Sequence, residues 1–163
     1  MNNLYKIQTK EKTYYKYFDT NEDVRHWCIN HLNMSEDITY SRTTDKILAN
    51  IKDKLEVDSW AELAEIGNKL NEEDDFTVEI DSREYRFISA DTVEEVFDEE
   101  CQQLIEDCYD LSNIPNFIAI DWESTVAKCR YDGLGHQFAH YDGEEIEIFD
   151  IQGKLQWHVF RTN

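Results

Sequence analysis

The chain has 163 residues, with 36 Asp/Glu against 16 Lys/Arg, for a formal net charge of −20. Such a surface repels nucleic acid and anionic membranes, so direct binding to either is not expected and basic partners are favoured. Aromatics at 13% can supply a core, which argues against wholesale disorder, and the length suits one domain or two small ones.

Along the chain, MNNLYKIQTK has no apolar run of the signal-peptide kind. Nowhere do about 18 apolar residues follow one another, so neither a leader nor a membrane span is expected. Alternation predicts a hairpin over about 3–9 and 13–18, around the polar tip TKEK. Thr20 can cap a helix over about 21–33, with Val24, Trp27, Cys28 and His31/Leu32 as its stripe. Thr44 begins a second helix, with Ile47, Leu48, Ile51 and Leu55 on one face. A third follows Asp58 or Ser59, where Ser59 and Glu62 fit a capping box and Leu63, Ala64, Gly67 and Leu70 face inward. Two strands, FTVEI and EYRFIS, turn near Asp81-Ser82. The helix of 92–109 should bury Val93, Val96, Phe97, Leu104, Ile105 and Cys108. Pro115 ends the next connection, and Asp121 can cap a helix over about 122–131. The tail reads as a meander: HQFAHY, a DG turn, EEIEIFD, a QG turn, then KLQWHVFR. The order ββααα–ββα–αβββ lacks βαβ alternation and predicts an α+β fold, small antiparallel hairpins and a meander packed with about five helices.

Charge divides the chain into three segments. Residues 1–54 are near neutral at +1, residues 55–115 carry −17, and residues 116–163 carry −4. The acidic middle supplies two candidate carboxylate sets. One is Glu62, Glu65, Glu72, Glu73, Asp74 and Asp75. The other is Glu94, Glu95, Asp98, Glu99, Glu106, Asp107 and Asp110. Like charges at i, i+4 on a helix cost a few tenths of a kcal/mol per pair. The helix dipole favours Glu94 and Glu95 but not Glu106–Asp110, which lie toward the wrong end. Local stability therefore does not explain the second set. Ordered carboxylate rows can imitate the phosphates of DNA and so occupy the basic groove of a DNA-binding protein. The plainer reading is a solubilising face.

Signals for chemistry are weaker. Among 36 carboxylates no spacing singles out an acid/base pair. Asn71–Asp75 lacks the calcium-loop pattern. Cys28 and His31 lie one turn apart without two further zinc ligands. Cys28, Cys101, Cys108 and Cys129 include no C-x-x-C and read as reduced thiols of a cytosolic protein. Cys101 and Cys108 are expected to be small buried hydrophobes. His136 and His140 flank QFA in strand register and, with Tyr141 and Asp142, form the best polar cluster for an enzyme. A hairpin surface explains them more simply. GLGH at 133–136 is not expected to open a helix, so it is not read as a phosphate loop. No cofactor or metal is expected.

The stretch NIPNFIAIDWESTVAKCRYDG, preceded by the acidic helix from Val93, resembles the C-terminal part of the ArdA antirestriction family. That family carries an acidic helix, an "IP" or "VP" link and an Asp-Tyr pair opening a helix that ends near Gly. Asp121-Trp122 stands at the Asp-Tyr position, and Lys128-Cys129-Arg130 stands where Arg-Asp-Leu is usual. SWAELAEIGNKLNE is a weaker echo of the family's middle domain. The resemblance covers about a quarter of the chain. It implies a phage or mobile-element protein acting in the bacterial cytoplasm as a non-enzymatic DNA mimic, an elongated homodimer that occupies the DNA groove of type I restriction–modification enzymes. The alternative is a phage protein that binds another host or phage protein through its β-rich ends, its acidity being incidental.

Overall fold

The computed structural model describes residues 4–32, 38–42 and 45–163. The chain forms two compact units, one of residues 1–76 with 148–154 and the other of residues 77–147 with 155–163.

In the first unit, β1 (Leu4–Gln8) is the centre of a three-stranded antiparallel sheet of order β2-β1-β3, with β2 at Thr13–Tyr17 and β3 at Thr39–Arg42. Leu4, Tyr5 and Ile7 are buried on β1, as an inner strand demands. Helix α1 (Asn21–His31) starts where Thr20 Oγ1 accepts from Asp23 N at 3.2 Å and Asp23 Oδ2 accepts from Thr20 N at 3.0 Å, a reciprocal cap. Its Val24 and Cys28 join Tyr5 and Ile7 in one apolar cluster, flanked by Tyr14, Phe18 and Trp27.

Helix α2 (Lys46–Lys54) is capped by Asp45, whose Oδ1 accepts from Ile47 N at 2.9 Å while its other oxygen accepts from Tyr15 Oη at 2.8 Å. Helix α3 (Trp60–Glu72) opens on Ser59, whose Oγ accepts from Glu62 N at 3.3 Å. It packs against β2, an edge strand. There Asn68 both accepts from Tyr15 N at 2.7 Å and donates to Tyr15 O at 2.8 Å, so edge groups that could recruit a foreign strand are satisfied by a side-chain amide. Gly67 permits this approach. A Cβ there would lie 2.9 Å from two Tyr15 ring carbons.

The second unit is built on a four-stranded sheet of order β4-β5-β7-β6, with β4 at Asp75–Ile80, β5 at Arg83–Ser89, β6 at Glu145–Phe149 and β7 at Leu155–Arg161. β5 and β7 are antiparallel and pair Tyr85 with Arg161 and Phe87 with Val159. Asp81 and Ser82, with φ of 49° and 64°, make the two-residue turn between β4 and β5. Helices α4 (Val93–Cys108), α5 (Trp122–Cys129) and α6 (Leu134–Phe138) complete the unit. Val93, Phe97, Cys101, Val126, Phe138 and Ala139 pack with Ile88 and Phe160 of the sheet. Phe138 sits at the centre, 5.9 Å from Phe97 edge to face and 5.1 Å from Phe160.

The α+β class holds, but the element order does not. A strand lies at Thr39–Arg42, where none was predicted; it is exposed throughout and has no alternating apolar signal. HQFAHY is not a strand. Residues 134–138 form a helix entered through Gly133 at φ 84°, which buries Gly135 and Phe138 three residues apart. Among the described residues there are thus six α-helices, and the tail has two strands rather than three. Leu104, at 50% exposed, and Cys108 lie outside the α4 core, and Val96 and Ile105 are only half-buried. His31 is exposed and stacks on Trp27 at 5.0 Å instead of entering the core. The predicted starts at Thr44 and residue 3, and the predicted end at residue 33, fall outside the described residues.

Candidate functional site: the carboxylates of α4

Helix α4 carries Glu94, Glu95, Asp98, Glu99, Glu100, Glu106 and Asp107 and no Lys or Arg of its own. Thr92, at its N-cap, makes no side-chain cap bond, because its hydroxyl is engaged with Ser89 Oγ at 2.9 Å. Glu94 and Glu95 then supply negative charge to the first turn, where the dipole welcomes it.

The remaining carboxylates are not equivalent. Arg130, just past α5, donates from Nε to Asp98 Oδ1 at 2.9 Å and pairs with Glu94 Oε2 at 3.5 Å. The bond to Asp98 raises the pKa of Arg130, with the charges of Asp98 and Glu94 adding to it. Arg86 on β5 forks onto Glu100, at 2.6 and 3.2 Å. At the C-terminal end Gln102 Nε2 donates to Glu106 Oε1 and Gln103 Nε2 to Asp107 Oδ1, both at 2.9 Å. These amide bonds partly relieve charge at the unfavourable end of the dipole. Asp110 accepts from Ser112 N at 3.1 Å and Asn113 Nδ2 at 2.7 Å, capping the 3-10 turn of Leu111–Asn113. Among the described residues Glu95 and Glu99 alone of this set have no side-chain partner.

The other predicted set lies in the first unit. Glu62 is half-buried at the start of α3, and Glu65 is exposed. Glu72 forms an ion pair with Lys12, which raises the lysine pKa chiefly through that hydrogen bond. Glu73 and Asp74 are exposed beyond α3, and Asp75 is half-buried at the start of β4. Regrouped by unit, the first carries eleven Lys/Arg and seventeen Asp/Glu, and the second five and nineteen, or −14. The concentration of charge is therefore a property of the second unit.

The enzyme-like cluster does not assemble as predicted. His136 lies on α6 and His140 beyond it, so they do not share a strand face. Asp142 Oδ1 accepts from Glu144 N at 3.0 Å as a turn residue. GLGH does open a helix, contrary to expectation, but that helix has five residues; Gly133 supplies the positive φ at its entry and Gly135 a close approach. A Cβ on Gly135 would come within 2.2 Å of Gly143 O. Among the described residues no group of three or more His, Cys, Asp or Glu could hold a metal, and no helix is long and apolar enough to cross a membrane.

The thiols are all free. Burial pushes Cys101 up to about 11, with Cys129 beside it as a second cause, and burial also raises Cys28. Cys108 is exposed, not buried as predicted. Residues that the sequence did not single out include Arg86, Arg130 and the buried His158, whose Nδ1 meets Glu145 Oε1 across β7 and β6. Each of these pairings joins positions far apart in sequence, so no local motif marks them. Comparison with protein-family models, curated proteins and solved structures finds nothing that matches the chain.

Proposed function

We propose that the protein is a non-enzymatic DNA mimic that inhibits a DNA-binding enzyme of a bacterial host, with type I restriction–modification enzymes as the target class and the bacterial cytoplasm as the place of action. The observation that carries this reading is the charge density of α4. Its sixteen residues span about 24 Å at the helical rise. Seven carboxylates over that length give one carboxylate per about 3.4 Å, the axial spacing along one strand of a duplex, before the offset from Arg130 and Arg86. The balance of −14 in the surrounding unit extends the field, and the resemblance of 93–133 to ArdA points the same way. Arg130 and Arg86 temper the row on one side, which leaves Glu95, Glu99, Glu106 and Asp107 as the residues that meet the partner. The same two arginines favour the second reading, in which much of the acidity is internal and partners bind elsewhere.

The test is capture from bacterial lysate containing a type I restriction enzyme, with and without competing duplex DNA. Mimicry predicts capture of the enzyme, released by duplex and by salt. A variant with Glu95→Gln, Glu99→Gln, Glu106→Gln and Asp107→Asn should lose capture and keep its circular dichroism. Capture that ignores both duplex and the amide changes would reject imitation in favour of the second reading.

A further inference from the structure

The C-terminal half of α4 leaves apolar surface uncovered. Leu104 is 50% and Tyr109 66% exposed. With Cys108, Cys129, Gly133 and His136 they line a groove of about 290 Å³ within the second unit. Such a volume lies at the low end for a ligand pocket and accepts one or two anchoring side chains. Cys108 and Tyr109 also line a second, more open depression, shared with Glu106, Asp107 and Asp110. The apolar groove and the carboxylate-lined depression therefore adjoin at Cys108 and Tyr109. Among the described residues no Lys or Arg pairs with those three carboxylates.

This juxtaposition selects the occupant. A second copy in a two-fold contact would set the same carboxylates against each other. A neutral apolar ligand would leave the acidic depression unused. We propose that the groove binds a short cationic amphipathic segment of another protein, with apolar anchors between Leu104, Tyr109 and His136 and Lys/Arg heads on Glu106, Asp107 and Asp110. Anchors at helical spacing with basic residues beside them match this arrangement. The site does not depend on duplex imitation, because its affinity comes from the anchors as well as the charge.

The experiment uses the full chain and a synthetic helical peptide of Leu and Lys at amphipathic spacing, with a Ser-for-Leu peptide of equal charge as comparator. Affinity is read by fluorescence anisotropy, and occupancy by iodoacetamide labelling of Cys108 followed by mass spectrometry. The Leu/Lys peptide is expected to slow Cys108 labelling and to bind about tenfold tighter than the Ser/Lys peptide. Leu104→Ser and Tyr109→Ser, at exposed positions that leave the fold intact, should each weaken binding by about tenfold. Changing Glu95 and Glu99 to Gln should leave Cys108 protection in place even if it abolishes capture of a DNA-binding enzyme, so the two proposals can fail separately. Equal binding of both peptides would overturn the proposal as diffuse charge attraction. So would unchanged affinity in both serine variants. Protection of Cys108 by raised protein concentration alone would overturn it in favour of a second copy.

Discussion

Arg130 sets how much of the α4 field faces outward. Its guanidinium holds Asp98 and Glu94 and lies 6.0 Å from the centre of the Phe97 ring. Both partners in the Asp98 pair are about one-third exposed, so water screens their attraction. Arg130→Ala is expected to lower stability by about 1 kcal/mol, read as a drop in the urea midpoint. An unchanged midpoint would mean the pair contributes nothing net. Asp121 offers a pH test. Backbone and side-chain bonds from Ser124 lower its pKa below the ordinary 3.8. Because the folded value is the depressed one, its contribution is present above the ordinary value and lost as pH falls through the folded value. Asp121→Asn keeps a cap without that proton. The stability difference between the parent and this variant should shrink on acidification, and a difference constant from pH 6 to pH 2, about the range spanned by carboxylate titration, would contradict the assignment. The caps at Thr20, Ser59 and Asp121 were legible in the sequence because capping depends on neighbours three residues away. The Arg130–Asp98 bond joins residues 32 apart, so no local pattern could reveal it.

At the level of elements, close approach is the main determinant. Gly67 on α3 touches Tyr15 of β2, and a Cβ there would also lie 3.2 Å from Leu48 Cδ1. Gly67→Ala should therefore cost about 1–3 kcal/mol by overpacking, despite alanine's better helix propensity. Thermal melts of parent and variant decide the sign, and a gain would mean the Tyr15 ring yields freely. The sequence placed Gly67 on the inner face correctly, since helical periodicity reports which side is covered. It did not report how far the covering extends. Leu104 and Cys108 continue the apolar period of α4 beyond Cys101, yet they border an open groove. Similarly, the alternation in HQFAHY satisfied a strand template, but a helix buries Phe138 just as well once Gly133 supplies the positive φ at its entry.

For the whole molecule, the imbalance of −20 sets a competition between folding and recognition. Repulsion within the folded chain weakens as the Debye length falls from about 30 Å to about 8 Å with added salt. The melting temperature should therefore rise by several degrees between those conditions in a calorimeter, while capture of a DNA-binding enzyme weakens over the same range. A melting temperature independent of salt would show that the carboxylates are spaced widely enough to coexist without strain. Composition announced this competition, but the location of the charge within the second unit required the fold.

The division of the chain also bears on its synthesis. Residues 148–154 belong to the first unit, although residues 77–147 of the second precede them. Domains generally complete themselves from the N-terminus as the chain is made. Here that order is broken, because a nascent chain halted before Ile148 holds the first unit without its last segment. The first unit to begin folding must wait until residue 154 has been made, and no contiguous piece of the chain contains either unit without part of the other.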